Sequence, residues 1–355
     1  MSSLPLLDCD THFSDHLPSL WTGPLPITPE LLDVGGQRRL RLGDLVFPKP
    51  EGPGHGNPRG LGHLIGPGAE ADRAEFMGKH NIQAAVLQPG FVGLSFQAVR
   101  DTAARTAIAA GYNDAAARSC ADSQLDLRWG VLLSAEDPAW SLAELRRFRA
   151  DPAVVGAVVR PTGGTADVRL SASGLTPVLE FLADAGLALF VHGGTGCHQW
   201  SPLADAYSEY TLTHAFGHMG EQMIALTDLL TRADGLPENL RVVMLESGVS
   251  WIPPVLERLA LHHRRLAPGK PSPMELMRRH VAVVPDPDER YAAQACTEIG
   301  LDNVLFGSDY PHWDTVDSAE WLDTYAGMSS PERLRENTAA FVPRLAAAPA
   351  ADTAP

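Results

Sequence analysis

Four side chains, far apart in sequence, have the types and local settings of metal ligands. Asp10 and His12 lie in Asp10-Thr11-His12, and His192 precedes Gly193-Gly194-Thr195-Gly196. Asp309 lies within Gly307-Ser308-Asp309-Tyr310-Pro311-His312. Each stands at the end of a short apolar run. Residues two apart on a strand point to the same side, so Asp10 and His12 act as one unit. Nitrogen and oxygen donors of this kind suit Zn²⁺, Mn²⁺ or Fe²⁺ and leave coordination positions for water or substrate. Singly, each residue has a plain structural explanation: a DxH pair is common, a strand-end histidine finds a hydrogen bond, and an aspartate caps the next helix. Together they predict one divalent ion, with zinc the first expectation and manganese or iron the alternatives.

The elements that must position these residues are eight apolar runs, at residues 4–9, 82–88, 127–134, 154–160, 187–192, 240–246, 281–285 and 304–309. They are nearly continuous rather than alternating, as parallel strands buried on both faces are. Helix-like stretches at 97–120, 141–149, 220–232 and 251–264 lie between them; Pro253 and Pro254 fall in the first turn of the last, where a missing N–H costs little. Strand then helix, repeated eight times, predicts an α/β fold, a (β/α)8 TIM barrel. The first strand is not followed by GxGxxG, which disfavours an open doubly wound sheet. In a barrel the first and eighth strands are neighbours, so Asp309 closes on the Asp10/His12 pair.

One region breaks the rhythm. Residues 13–70 are dense in Pro and Gly, a long insert after the first strand at the face where barrel chemistry sits. It is read as a lid, with a subunit interface as the alternative. The chain is expected to be a single domain over 1–343, with a frayed tail over 344–355.

The chain has 355 residues, 45% hydrophobic and 20% charged, with ample apolar material for one core. Its net charge of −15 makes nucleic acid and anionic membranes poor partners. Cys9, Cys120, Cys197 and Cys296 show no CxxC spacing, which favours a reducing cytoplasm over a disulfide framework. The opening MSSLPLLDCDTH has neither a basic region nor an apolar stretch suited to export. A small-molecule substrate is the expected partner, and a homodimer is the open question of assembly.

Lysine supplies an exclusion. The chain contains only Lys49, Lys79 and Lys270, none at a strand end. A Schiff-base aldolase needs a desolvated lysine inside the barrel, and a carbamylated lysine bridging two metals needs one there too. The site is therefore expected to hold a single ion.

The motifs DCDTH, FVHGG and NVLFGSDYPH, with the late segment Glu336-Asn337-Thr338-Ala339-Ala340, resemble the amidohydrolase superfamily. The likeness is to the amidohydrolase-related (amidohydrolase 2) subgroup similar to aminocarboxymuconate-semialdehyde decarboxylase, and it spans nearly the whole chain. DCDTH is a variant of that family's opening HxH or ExH, with Asp10 keeping an anionic oxygen in the first position. The resemblance implies a mononuclear metal held by Asp10, His12, His192 and Asp309. Asp309 then serves as ligand and as acid or base.

After the sixth strand the family places a catalytic histidine, whereas this chain has Leu245-Glu246-Ser247-Gly248. Glu246 is read as a general base, with two alternatives: orienting a histidine, or pairing with an arginine. His214, in Thr213-His214-Ala215-Phe216-Gly217-His218, is the candidate replacement histidine; alternatively His214 and His218 merely face solvent from a helix start. Arg160 suits a substrate carboxylate as a bidentate partner, or else makes a structural ion pair. Trp251 and His312 are placed at the rim as substrate-binding residues, and His55 and His63 in the insert are weaker candidates.

The function expected is non-oxidative, metal-dependent decarboxylation of a small aromatic or unsaturated carboxylic acid. The alternative is metal-dependent hydrolysis of an amide, lactone or related bond by a metal-activated water. A catalytically silent binding module is a third class, and the intact four-ligand set speaks against it.

Overall fold

A computed structural model of the chain describes residues 4–15, 21, 25, 27–34, 37–43, 45–47, 70–99, 101–161, 169–171, 173–193, 213–232, 234–312, 314–327 and 329–347. Its centre is a curled sheet of seven strands: β1 (Leu6–His12), β5 (Ile82–Gln88), β6 (Asp126–Leu132), β7 (Val154–Val159), β8 (Ala188–His192), β9 (Arg241–Leu245) and β10 (Val281–Val283). They lie in that order and every neighbouring pair is parallel. Apart from Gln83 and the partly covered first residues of β6 and β9, their side chains are buried, which is why the runs read as continuously apolar.

The eighth predicted run behaves differently. Residues 304–310 lie between the edge strands β10 and β1 and bond to both, but they form only isolated bridges, Val283 to Val304 and Thr11 to Tyr310. The Leu305 amide donates to Val283 O at 2.9 Å, Cys9 N to Phe306 O at 3.0 Å and Asp309 N to Asp10 O at 2.8 Å. The ladder is interrupted because the Asp8 carboxylate enters it. Oδ1 of Asp8 accepts from both Asp10 N, at 3.1 Å, and Ser308 N, at 3.0 Å. A Cβ at Gly307 would lie 2.7 Å from Asp10 Cβ and 2.8 Å from Val284 Cγ1, so only glycine lets this segment approach the ligand strand so closely.

Helices cover the sheet. Pro138–Phe148 and Ile252–Leu266 correspond to predicted helices, and Pro falls in the first turn of each. Thr102–Asp122 is locked to β6 by Asn113, which accepts from Leu132 N at 2.8 Å and donates to Leu132 O at 3.2 Å. His218–Leu230 is locked to two strands at once, because Gln222 Nε2 donates to Val191 O and Leu245 O at 2.8 and 2.9 Å. Trp129, Phe190, Phe306 and Trp321 are fully buried in the core. No helix among the described residues is long and apolar enough to cross a membrane.

Two further regions carry structure of their own. The described part of the insert contains an antiparallel sheet of β2 (Glu30–Val34), β3 (Gln37–Leu42) and β4 (Leu45–Phe47), with Leu40 and Leu42 fully buried. Residues 48–69, with His55 and His63, lie outside the described residues, as does Cys197. Of the expected tail, residues 344–347 are described and the rest lies outside the described residues. Pro343–Ala346 is helical, Leu345 is buried, and Arg344 donates to Val154 O and Ala185 O at 3.2 Å each.

Candidate metal centre

On β1, Leu6, Asp8, Asp10 and His12 share one side by the two-residue repeat, and all are buried. His192 ends β8 with no exposed surface. The two histidines are oriented alike. His12 Nδ1 lies 2.7 Å from Pro89 O, and His192 Nδ1 lies 2.7 Å from Gly193 O. A carbonyl oxygen only accepts, so Nδ1 carries the proton in both rings and each Nε2 presents a lone pair. Those nitrogens, and Asp10 Oδ1, are buried and make no hydrogen bond.

The spacing of these donors is that of ligands. His192 Nε2 is 3.5 Å from Asp10 Oδ1, His12 Nε2 is 3.6 Å from the same oxygen, and His12 Nε2 is 3.0 Å from Asp309 Oδ1. Ligand atoms about 2.1 Å from a common ion are separated by about 3.4 Å in tetrahedral and about 3.0 Å in octahedral geometry. Buried donors left unpaired at these distances fit a divalent cation. Asp10, His12 and His192 form one such group, and His12, Asp309 and His312 a second that shares His12. The first group brings together three of the four expected ligands; the fourth, Asp309, lies in the second group, which meets the first only at His12.

The electrostatics agree. Burial, then the His312 and His192 rings, hold His12 below its ordinary value and keep it neutral, as a ligand must be. Burial also opposes the charged form of His192, but Asp10, then Glu246, outweigh it and leave His192 raised. Burial, then the charges of Asp314 and Asp10, push Asp309 well up. Glu246 is likewise raised by burial, and Asp309 and Asp314 add to this against the pull of His192. Mutually repelling carboxylates around two imidazoles are a sink for positive charge.

Backbone strain is concentrated at the same place. Of three non-glycine residues at positive φ among the described residues, two are Glu246 (54°) and Asp309 (56°), each at the carboxyl end of its strand or run. Residues 247–250, after Glu246, are pinned. Glu289 accepts from Val249 N at 2.9 Å and Ser250 N at 3.1 Å, and the Trp251 indole donates to Ser247 O and Gly248 O at 3.0 and 3.1 Å.

The remaining predicted residues fall as follows. His312 stacks on His12 with ring centroids 3.9 Å apart, hydrogen-bonds Asp309 Oδ1 at 2.8 Å, and meets Phe91 edge-on at 6.3 Å. Arg160 is 2% exposed, with Nη2 2.9 and 3.1 Å from the Glu221 oxygens and Nη1 donating to Leu94 O at 2.7 Å. This is the structural ion pair of the two readings. Trp251 is buried with its N–H engaged by backbone, so it supports a turn. His214 lies on Thr213–Gly217, and its side chain is outside the described residues. His218 does not face solvent: it is 2% exposed, with Nδ1 3.8 Å from Glu246 Oε1.

Two residues the sequence reading missed also shape the centre. Asp8, wholly buried, is pushed up to about 7 by burial; its parity with Asp10 and His12 was the available signal. Arg73 donates to His12 O at 2.6 Å and lies 5.1 Å from the Tyr310 ring centroid, gripping the two segments that carry ligands. Nothing in the sequence marks it, since its partner is a backbone carbonyl.

A family model described as amidohydrolase matches residues 7–338, and the chain belongs to that family. Among solved structures it resembles an amidohydrolase from Mycobacterium avium subsp. paratuberculosis K-10, with 19% identity, a TM-score of 0.73, and coverage of 98% of this chain and 100% of that one. It also resembles an apo IDCase from Metarhizium anisopliae, at 18% identity and TM-score 0.69 over 96% and 97% of the two chains. A third is a dihydroxybenzoic acid decarboxylase from Polaromonas sp. JS666 with bound manganese and the inhibitor 2-nitroresorcinol, at 19% identity and TM-score 0.62 over 78% and 86%. A search of curated proteins returns no match.

Proposed function

We propose that this chain is a metal-dependent, non-oxidative decarboxylase of a small aromatic or unsaturated carboxylic acid, in the subgroup similar to aminocarboxymuconate-semialdehyde decarboxylase. The observation that carries the proposal is the set of three buried, hydrogen-bond-free donors, Asp10 Oδ1, His12 Nε2 and His192 Nε2. Asp10, His12 and His192 would hold the ion, and Asp309, 3.0 Å from His12, would offer a further oxygen. We read the sheet as a (β/α)8 barrel closed by residues 304–310, which brings Asp309 to the β1 ligands.

A divalent ion held there would supply positive charge to balance the substrate carboxylate. The residues then need only deliver a proton. As the bond to the carboxylate carbon breaks, its electron pair stays on the substrate carbon, CO₂ leaves, and that carbon takes the proton from the Asp309 carboxyl. Burial, with the Asp314 and Asp10 charges behind it, keeps that proton in place until it is needed. His312, hydrogen-bonded to Asp309 and facing Phe91, is the substrate-side group on the rim. Arg160 would reach a substrate only by leaving Glu221. Zinc, manganese and iron all suit the donors, and the manganese of the Polaromonas decarboxylase sets that ion beside zinc.

Hydrolysis of an amide or lactone is the second reading, supported by the two raised carboxyls, Asp309 and Glu246, that border the centre. One experiment separates them. Protein stripped by chelator is reloaded with Zn²⁺ or Mn²⁺ and offered a panel of aromatic acids and their amides, with CO₂ and amine release followed together. Metal-dependent CO₂ release, abolished in Asp309→Asn, is expected. Amine release without CO₂ would overturn the decarboxylase reading in favour of hydrolysis.

A further inference from the structure

Glu246 stands where the family places a catalytic histidine, yet the geometry gives it a different neighbour from the one a general base needs. Its Oε2 lies 3.4 Å from His192 Nδ1, while His192 presents its other nitrogen, Nε2, to Asp10 at 3.5 Å. The carboxylate therefore meets the imidazole on the edge that carries the N–H, away from the edge that offers the lone pair. Oε2 is shielded from solvent and makes no hydrogen bond of its own. On its other oxygen, Oε1, stands the buried His218 ring, with Nδ1 at 3.8 Å.

From this arrangement we infer that Glu246 is a positioning residue for the metal centre: a carboxylate that supports His192 from behind, braced in turn by His218. The inference rests on the metal-centre reading above. A carboxyl at the N–H edge of a ligating imidazole supports its tautomer and ring orientation and so fixes the direction of Nε2. The Nδ1 proton itself goes to Gly193 O at 2.7 Å, so the carbonyl sets the tautomer and the Glu246 carboxyl, 3.4 Å away, braces the same edge of the ring.

The local backbone is built for this placement. Glu246 sits at φ 54°, a conformation side chains rarely adopt, and the following turn is clamped by Glu289 and by the Trp251 indole. An extended residue here would continue the β9 direction; the left-handed turn brings the side chain to the end of β8 instead. Beneath it, Gln222 ties the ends of β8 and β9 together through Val191 O and Leu245 O, so His192 and Glu246 have a fixed spacing. His218 belongs to the same helix as Gln222 and arrives by the same anchor.

The role differs measurably from general-base catalysis. The probe is Co²⁺ alone, titrated into chelator-stripped protein, with the dissociation constant obtained by competition and the visible absorption recorded. In Glu246→Ala the affinity is expected to fall about 10–100-fold, the range for loss of a group that supports a metal-bound histidine. Glu246→Gln, which keeps an acceptor but not the charge, falls between Ala and native. His218→Phe shows a smaller fall and an altered spectrum. Thermal melting of the metal-free variants shows that the apo fold is retained, and Glu246→Gly, which relieves the positive φ, loses affinity although its apo form melts no lower than native. Native affinity and spectrum in Glu246→Ala would overturn the inference and leave the metal centre standing. The same holds for a Glu246→Gln variant with native Co²⁺ affinity and abolished turnover, which would make Glu246 a catalytic base. If the native chain takes up no Co²⁺, the metal-centre reading falls and this inference with it.

Discussion

Asp15 lies three residues beyond the ligand pair and has no exposed surface. Its Oδ1 accepts from Val92 N at 3.0 Å and its Oδ2 from Gly93 N at 2.8 Å, which holds the start of the Phe91–Ser95 helix at the carboxyl end of β5. Burial pushes its carboxyl from 3.8 up to about 7, against the pull of the Gly93, Val92 and Gly90 amides. As pH rises, the unfolded chain gives up this proton first, so between the two values the folded state binds more protons. The stability linked to Asp15 is therefore fully present below the unfolded pKa and is lost as pH rises towards the folded one, at about 1.4 kcal/mol per pH unit. From about pH 5 to about pH 7 the loss is two units, at most about 3 kcal/mol.

Asp15→Asn removes the proton from the problem. The amide keeps one acceptor but turns its NH₂ towards a backbone N–H, at a cost of about 1–3 kcal/mol at the acid end. The stability gap between native and variant should shrink by up to about 3 kcal/mol over those two units, bringing the variant level or ahead. Urea unfolding of metal-free protein, at half-unit steps of pH, measures the gap directly. A gap that stays constant or widens as pH rises would refute the reasoning, because Asp15 would then be an ordinary carboxylate stabilised by its amides.

Other substitutions test the frame around the centre. Gly307→Ala puts a Cβ within 2.8 Å of Asp10 and Val284, and is expected to cost about 1–3 kcal/mol and weaken metal binding, read by melting and Co²⁺ titration. Arg160→Met removes the guanidinium that pairs with the buried Glu221 and should cost about 3–5 kcal/mol, with Arg160→Met/Glu221→Met recovering most of it; a stable Arg160→Met with only a raised KM would instead assign Arg160 to the substrate. Metal at about 100 times its dissociation constant should stabilise the native chain by about 2.7 kcal/mol, and His192→Ala should abolish that increment in a thermal-shift assay.

The parts of this molecule that were legible in the sequence are those fixed by local pattern. A strand buried on both faces must be apolar along its length, so β5 was read to its ends and the other core strands to within a few residues. The candidate ligands were legible because they interrupt those runs at their carboxyl ends. What escaped was set by contacts between distant segments. Residues 304–309 read as one more apolar strand, but the Asp8 side chain takes the Ser308 amide and breaks the ladder, which no periodicity reports. Arg160 and Glu221 are 61 residues apart and look like two unrelated charges until the fold pairs them. His214 and His218 are indistinguishable by spacing; the helix beginning at His218 places that ring beside Glu246. The insert's small sheet was hidden because its strands are short, charged and flanked by Gly and Pro.

The account stands or falls on a cation shared by β1 and β8. Crystals of the chain loaded with Mn²⁺ or Zn²⁺, with anomalous data collected at that ion's absorption edge, locate it without assumption. One peak is expected about 2.0–2.2 Å from His12 Nε2, His192 Nε2 and Asp10 Oδ1. A map with no peak there, or with the ion held by other side chains, would contradict it.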